Sequence, residues 1–182
     1  RLLRSAKNGM LYVYDTVERP AEHTVRDFIE HRDLYANLAK RSRFFMVAPA
    51  KMDVAEETQG QVAFGYRYFE GSAAGAVLIG QAADCDAFRR CFDWPDAVIA
   101  IKPDGSDTVE VISRLTADPE RVLAISCRNA GETLRRHDWL YRWKEILAMA
   151  GLKPGPRMEA REKRLRELTE SAKEYAAVAG PG

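Results

Sequence analysis

Gly65-Tyr-Arg-Tyr-Phe-Glu70-Gly-Ser-Ala-Ala-Gly75-Ala-Val-Leu-Ile-Gly80 is the stretch that decides the fold. Its first part predicts a helix from about Gly65 to Ala74, closed by Gly75, because glycine takes the left-handed conformation that ends helices. Ala76 to Ile79 is continuously apolar, which predicts a strand covered on both faces. Upstream, Arg43-Phe-Phe-Met-Val47 reads as a strand stopped by Ala48-Pro49, and Lys51 to Gln61 as a polar loop. Downstream, Phe88, Cys91 and Phe92 mark a short amphipathic helix, and Ala97-Val-Ile-Ala-Ile101 another strand. Strands alternating with helices at this spacing make βαβ units. The expected fold is therefore α/β, a Rossmann-like parallel sheet with helices on both faces.

Further from the centre, Leu11-Tyr-Val-Tyr14 predicts a buried strand. Thr16 to Arg32 reads as irregular, with Pro20 as a breaker, and Asp33 as the N-cap of a short helix bearing Leu34, Leu38 and Ala39. Beyond Asp104-Gly105 the chain becomes helical. Asp107 and Glu110 open one helix, and Asp118-Pro119 another, with proline at the first helical position. Trp139, Trp143, Ile146, Leu147 and Ala150 share one helical face, and Gly151 ends that helix. After Gly155-Pro156, Met158, Leu165, Leu168, Ala172 and Tyr175 form an apolar stripe. Acids and bases alternate on its other face, Glu159 with Lys163 and Glu162 with Arg166, as on a solvated helix. The expected division is a nucleotide-binding body over residues 1–136 and helices over 137–182 packing on it.

The 182 residues suffice for a large core, and 46% hydrophobic with 30% charged residues describes a globule. Lys and Arg number 28 against 27 Asp and Glu, so no global basic field recruits nucleic acid. Any anion must be caught locally. Cys85, Cys91 and Cys127 make neither a CxxC pair nor an even set, and read as reduced thiols of a cytosolic protein. No apolar run reaches the roughly 18 residues of a membrane span. The chain opens on Arg1 with its first methionine at Met10, and reads as a segment beginning inside a domain.

In open parallel sheets ligands bind beyond the carboxyl ends of the strands. The loop from Ala48 to Ala63 leaves such an end and leads to the helix at Gly65, whose start suits a phosphate. Gly65 permits close backbone approach, and Arg67 lies in the first turn with Glu70 three residues on, hence on the same face. Arg67 can hold a phosphate while Glu70, with acceptors only, takes hydrogen bonds from sugar hydroxyls. A structural Arg67–Glu70 ion pair is the competing reading.

Five segments carry a family resemblance: Ser42-Arg-Phe-Phe, Pro49-Ala-Lys51, Tyr66-Arg-Tyr-Phe-Glu-Gly-Ser-Ala-Ala-Gly75, Trp94-Pro-Asp-Ala-Val98 and His137-Asp-Trp-Leu-Tyr-Arg-Trp143. From Arg43 to about Arg161 the chain resembles the C-terminal domain of GT-B glycosyltransferases, nearest to the group-1-like, CgeB-type family. The resemblance implies a domain that binds a nucleoside-diphosphate sugar for transfer to an acceptor, without a cofactor or a metal. It implies substrate-binding roles for Gly65, Tyr66, Arg67, Glu70, Gly71 and Lys51, with Glu70 on the ribose. Catalytic residues would sit on a separate N-terminal domain, leaving this segment little turnover alone. Related retaining enzymes carry a second glutamate upstream, separated from the first by seven residues; here that position is Val62.

Other motifs are weaker. Asp84-Cys-Asp86 spells a metal-binding DxD but reads as the N-cap of the Phe88 helix. Gly71 and Gly75 do not sit in a GxGxxG turn that opens a helix. His137 and Asp138 are expected to cap the helices on either side of them. His23, His31 and His137 have no zinc-ligand spacing. Two alternatives to the donor-binding domain remain: a non-catalytic Rossmann-like interaction module, and a metal-dependent transferase using Asp84 and Asp86.

Overall fold

The computed structural model describes residues 2–4, 11–13, 25–51 and 55–178. The chain divides into two compact units, Arg1–Tyr35 and Ala36–Gly182. In the first, β1 (Leu2–Arg4) pairs antiparallel with β2 (Leu11–Val13), Leu3 opposite Tyr12. The run at Leu11 is thus a strand, but it belongs to this pair and not to the parallel sheet. Helix α1 covers Val25–Arg41, starting well before Asp33 and converting the second half of the expected irregular stretch. The reason is plain in composition, since no glycine or proline interrupts the chain between Val25 and Arg41.

The second unit is built on a parallel sheet in the order β3-β4-β5, from β3 (Phe44–Val47), β4 (Val77–Gly80) and β5 (Ile99–Ala100). Val47 pairs with Gly80 and Ile79 with Ile99. All of β4 is buried, and its alternation divides two cores. Leu78 packs with Val47, Tyr68, Phe88, Phe92 and Trp94, under α3 (Arg67–Ala73) and α4 (Asp86–Cys91). Val77 and Ile79 pack instead with Val111, Leu115 and Ile125, under α5 (Thr108–Thr116) and α6 (Pro119–Arg136). The fold is α/β and Rossmann-like, with helices on both faces. Each fully buried aliphatic side chain in β4 contributes about 1.5–3 kcal/mol.

Two glycines let these layers approach. A Cβ on Gly71 would lie 2.6 Å from Leu78 Cδ2 and 2.8 Å from Phe45 Cδ1, so α3 sits directly on the sheet. At Gly80, where φ is +150°, a Cβ would meet the Val47 carbonyl oxygen at 1.8 Å. No side chain fits there, so the carboxyl end of β4 is bare backbone.

Asn129 joins the layers chemically. It is fully buried on α6, accepts from Trp94 Nε1 at 2.9 Å and donates through Nδ2 to the Ala76 carbonyl at 2.9 Å. Asp118 caps α6 by accepting from the Arg121 N–H, with Pro119 at its first position, as its sequence predicts. Asp107 is the N-cap residue of α5, as its sequence predicts, although its side chain accepts from the Lys102 N–H at 2.8 Å and not from the helix. Helix α7 (Trp139–Met149) is capped by Asp138, which accepts from the Leu140 N–H. It buries Leu140 and leaves Trp139, Trp143 and Ile146 exposed. Helix α8 (Pro156–Val178) packs along α6, with Leu165 and Thr169 buried. Among the described residues no helix is long and apolar enough to cross a membrane.

Asn129→Ala would strand a buried indole N–H and a buried carbonyl. It should cost about 2–4 kcal/mol of unfolding free energy, since each unmet buried group costs roughly 1–3. Urea denaturation checks this; a loss under about 1 kcal/mol would mean the two bonds are not needed to join α6 to the sheet.

Candidate functional site

The carboxyl ends of β3 and β4 are followed by the segments that carry the candidate residues. After β3, Ala50 and Ala63 form an antiparallel bridge, with the Ala50 N–H donating to the Ala63 carbonyl at 2.8 Å. That bridge pinches the loop between them, which contains a short helix α2 (Ala55–Thr58) where only loop was expected. Lys51 follows the bridge in the left-handed conformation, φ +53°, and its Nζ pairs with Glu57 Oε2 at 2.5 Å. Both partners are exposed, so this pair is easily exchanged for another anion. The bridge also sets Lys51 beside the chain that enters α3 four residues later.

Helix α3 begins at Arg67, with Tyr66 as its N-cap residue and no side-chain capping bond. At seven residues it has a short dipole, so its end contributes less to anion binding than the longer helix expected from Gly65. Nothing lies within 4 Å of where a Gly65 Cβ would be, which leaves that position open. Tyr66 is 68% exposed and Arg67 is exposed as well. Gly71, by contrast, faces the sheet, and the structure gives it a packing reason.

Glu70 is the unusual member. It is half-buried in the middle of α3, and its Oε2 is sealed from solvent without a hydrogen-bond partner. Arg67 lies three residues before it, one turn back on the same helix. An acceptor placed this way costs free energy until a donor arrives.

Tyr68 fixes α3 to the sheet edge, a role its sequence position did not disclose. It is fully buried, and its hydroxyl donates to the Gln81 carbonyl just past β4 at 2.5 Å. Burial first, and the neighbouring Cys85 second, push its phenol up to about 12, so it stays a donor at all physiological pH. Around it Phe64, Phe69, Phe88 and Phe92 form an aromatic cluster that includes His137.

Asp84 and Asp86 do not cap α4. Its N-cap residue is Cys85, which makes no side-chain cap bond. Arg89 instead donates to Asp84 Oδ1 at 2.6 Å and to Asp86 Oδ1 at 2.7 Å, holding the Asp86 carboxyl below its usual range. A guanidinium thus occupies the position a shared cation would need. Among the described residues no group of three or more metal-ligating side chains converges. An open groove of about 600 Å³ lies here, lined by Ala82, Asp84, Arg89, Asp93 and Pro95, with Phe88, Phe92 and Trp94 beneath. Neither Lys51, Arg67 nor Glu70 lines it.

His137 ends α6 as its sequence suggests, its backbone N–H donating to the Thr133 carbonyl. Its ring does more: Nε2 contacts the Cys91 carbonyl at 2.9 Å, and Nδ1 is buried without a partner. Phe69 meets the ring edge-on at 4.9 Å. Burial is the main cause that lowers its pKa; Arg142 and Arg136 push the same way, against the Cys91 carbonyl and Glu132. His23 lies outside the described residues.

The lowered pKa sets a pH dependence. Above the ordinary value of 6.5 the neutral ring contributes its full stability. As pH falls below that, the unfolded chain binds the proton more readily than the folded one, and stability is lost. Melting temperatures measured between pH 7.5 and pH 5 should therefore fall less in His137→Gln than in the wild type; parallel curves would contradict a buried neutral ring.

A family model described as glycosyl transferase-like matches residues 7–148, more than three quarters of the chain. No curated protein matches, and no solved structure does.

Proposed function

The chain belongs to the glycosyl transferase-like family, and on that premise we propose that it is the donor-binding part of a glycosyltransferase, taking a nucleoside-diphosphate sugar. The observation that carries this reading is the Glu70 Oε2, sealed and unpartnered beside the sheet edge. A ribose supplies two vicinal hydroxyl donors, which is what a lone carboxylate in such a place lacks. Arg67 and Lys51 stand on the loop side of α3 and would meet the diphosphate, Lys51 exchanging Glu57 for it. Gly65 and Tyr66 would form the adjoining wall.

The wider assignment rests on the resemblance of Tyr66 to Gly75 to the C-terminal half of a GT-B architecture, of the CgeB-type branch. On it, residues 1–136 form the nucleotide-sugar-binding body and 137–182 its associated helices, and the catalytic residues lie on a facing domain. Leaving-group stabilisation then comes from basic side chains and backbone donors. The arrangement of Asp84, Asp86 and Arg89 supports a donor site that does not use that pair for a cation. The three unpaired thiols suit a reducing compartment such as the cytosol.

A second reading, a non-catalytic module of the same fold, is favoured by Val62, exposed where related retaining enzymes place a glutamate. Calorimetric titration with UDP-, GDP-, ADP- and TDP-sugars, with and without manganese, separates the two. Saturable binding without manganese is expected for one nucleotide class. Glu70→Gln should weaken it by roughly 10–100-fold, the value of a lost charged hydrogen bond, with the melting temperature retained. Binding that needs manganese and survives Glu70→Gln would overturn the assignment, and silence from a folded protein would favour the module.

A further inference from the structure

The surface of α7 is apolar where a solvated helix would be polar. Trp139, Trp143 and Ile146 follow one another at helical spacing and are 77%, 56% and 47% exposed. Met149, 82% exposed, borders the stripe, and Leu152, 59% exposed, extends it past Gly151. The opposite side of the helix is committed: Leu140 is buried, and Lys144 pairs with Glu162 of α8 at 2.9 Å. The stripe is therefore held outward by packing on its other side.

The charges around it are lopsided. Residues 135–157 carry six Lys or Arg and two Asp or Glu, in a chain whose net charge is only +1. Four of the nearby acids are already engaged. Asp138 pairs with Arg161 at 2.6 Å, Glu162 with Lys144, and Glu132 with Arg136 at 2.7 Å; Asp93 pairs with Arg136 as well. Arg142, Lys153 and Arg157 have no carboxylate partner among the described residues, the Arg142 guanidinium donating only to the Arg136 carbonyl at 3.4 Å. Glu145 is the single acid on α7 itself.

We propose that this face docks on an anionic lipid surface, α7 lying in the plane of the interface. Indoles and methionine enter the headgroup boundary, where tryptophan is favoured, while Arg142, Lys153 and Arg157 meet the phosphates. Each such cation strengthens binding near an anionic leaflet. A second copy of the same face fits poorly, since it would set Arg142, Lys153 and Arg157 against the same three cations with only Glu145 of each α7 to answer them. The eleven residues of α7 lie on the membrane and do not span it.

Co-sedimentation with vesicles of phosphatidylcholine containing about 30% phosphatidylglycerol tests this, beside vesicles of phosphatidylcholine alone. The protein should bind the anionic vesicles, with a blue shift of tryptophan emission, and release as salt is raised. Trp139→Ser with Trp143→Ser should weaken binding at least about tenfold without lowering the melting temperature, because both side chains are exposed. Arg142→Glu with Lys153→Glu should weaken it too and flatten its salt dependence. Absence of binding at low salt, or binding indifferent to these changes, would overturn the proposal. So would self-association that the tryptophan changes abolish without any vesicle binding, which would give the face to a second copy.

Discussion

Helix α3 lies so close on the sheet that residue 71 can have no side chain, and much of the candidate site follows from that contact. With Gly71 pressed on Leu78 and Phe45, the helix can neither roll nor lift without opening a void. Tyr68, one turn earlier, closes the same contact at the carboxyl edge by bonding to Gln81. Glu70 lies between these two anchors, half-buried, with its Oε2 out of contact with water. Its unmet oxygen is thus a consequence of packing on either side of it, which is how a folded core can sustain a costly acceptor.

The buried amide of Asn129 is treated differently. Asn129 uses both ends of its amide to join Trp94 to the start of β4, so the loop after α4 and the sheet move as one body. Trp94 in turn receives Arg136 over its ring at 5.4 Å, and Arg136 is neutralised by Glu132 and Asp93. Satisfied networks of this kind rigidify what they join.

Much of this was legible from the sequence because the central unit is locally consistent. The continuous run Ala76 to Ile79, the glycine closing α3 and the Asp118-Pro119 start all act within a few residues, and each appears as read. The failures share a cause too. The antiparallel partner of Leu11–Val13 does not stand out in the sequence because Leu2–Arg4 is only three residues long, although Asn8-Gly9 between them is a hairpin signal. Asp84 and Asp86 look like caps in isolation, and only the reach of Arg89 from one turn along α4 redirects them. Tyr68 and Asn129 could not be found by pattern at all. Their partners lie 13 and 53 residues away, and both partners are backbone carbonyls that any sequence would supply.

The apolar stripe of α7 and the carboxylate of α3 are linked through a joint at His137. Phe69, next to Glu70 in the chain, packs against the His137 ring, and His137 ends α6 while Asp138 begins α7. The ring is also held through Nε2 to the Cys91 carbonyl at the end of α4. A displacement of α7 must therefore either break that bond or carry Phe69 with it, because an edge-on aromatic contact in a dense cluster leaves little room to slide. With Nδ1 unmet, the ring spends no second hydrogen bond on α6 or α7, so its hold on them is steric and directional. The His137 imidazole thus stands between the outer face of α7 and the helix that carries Glu70.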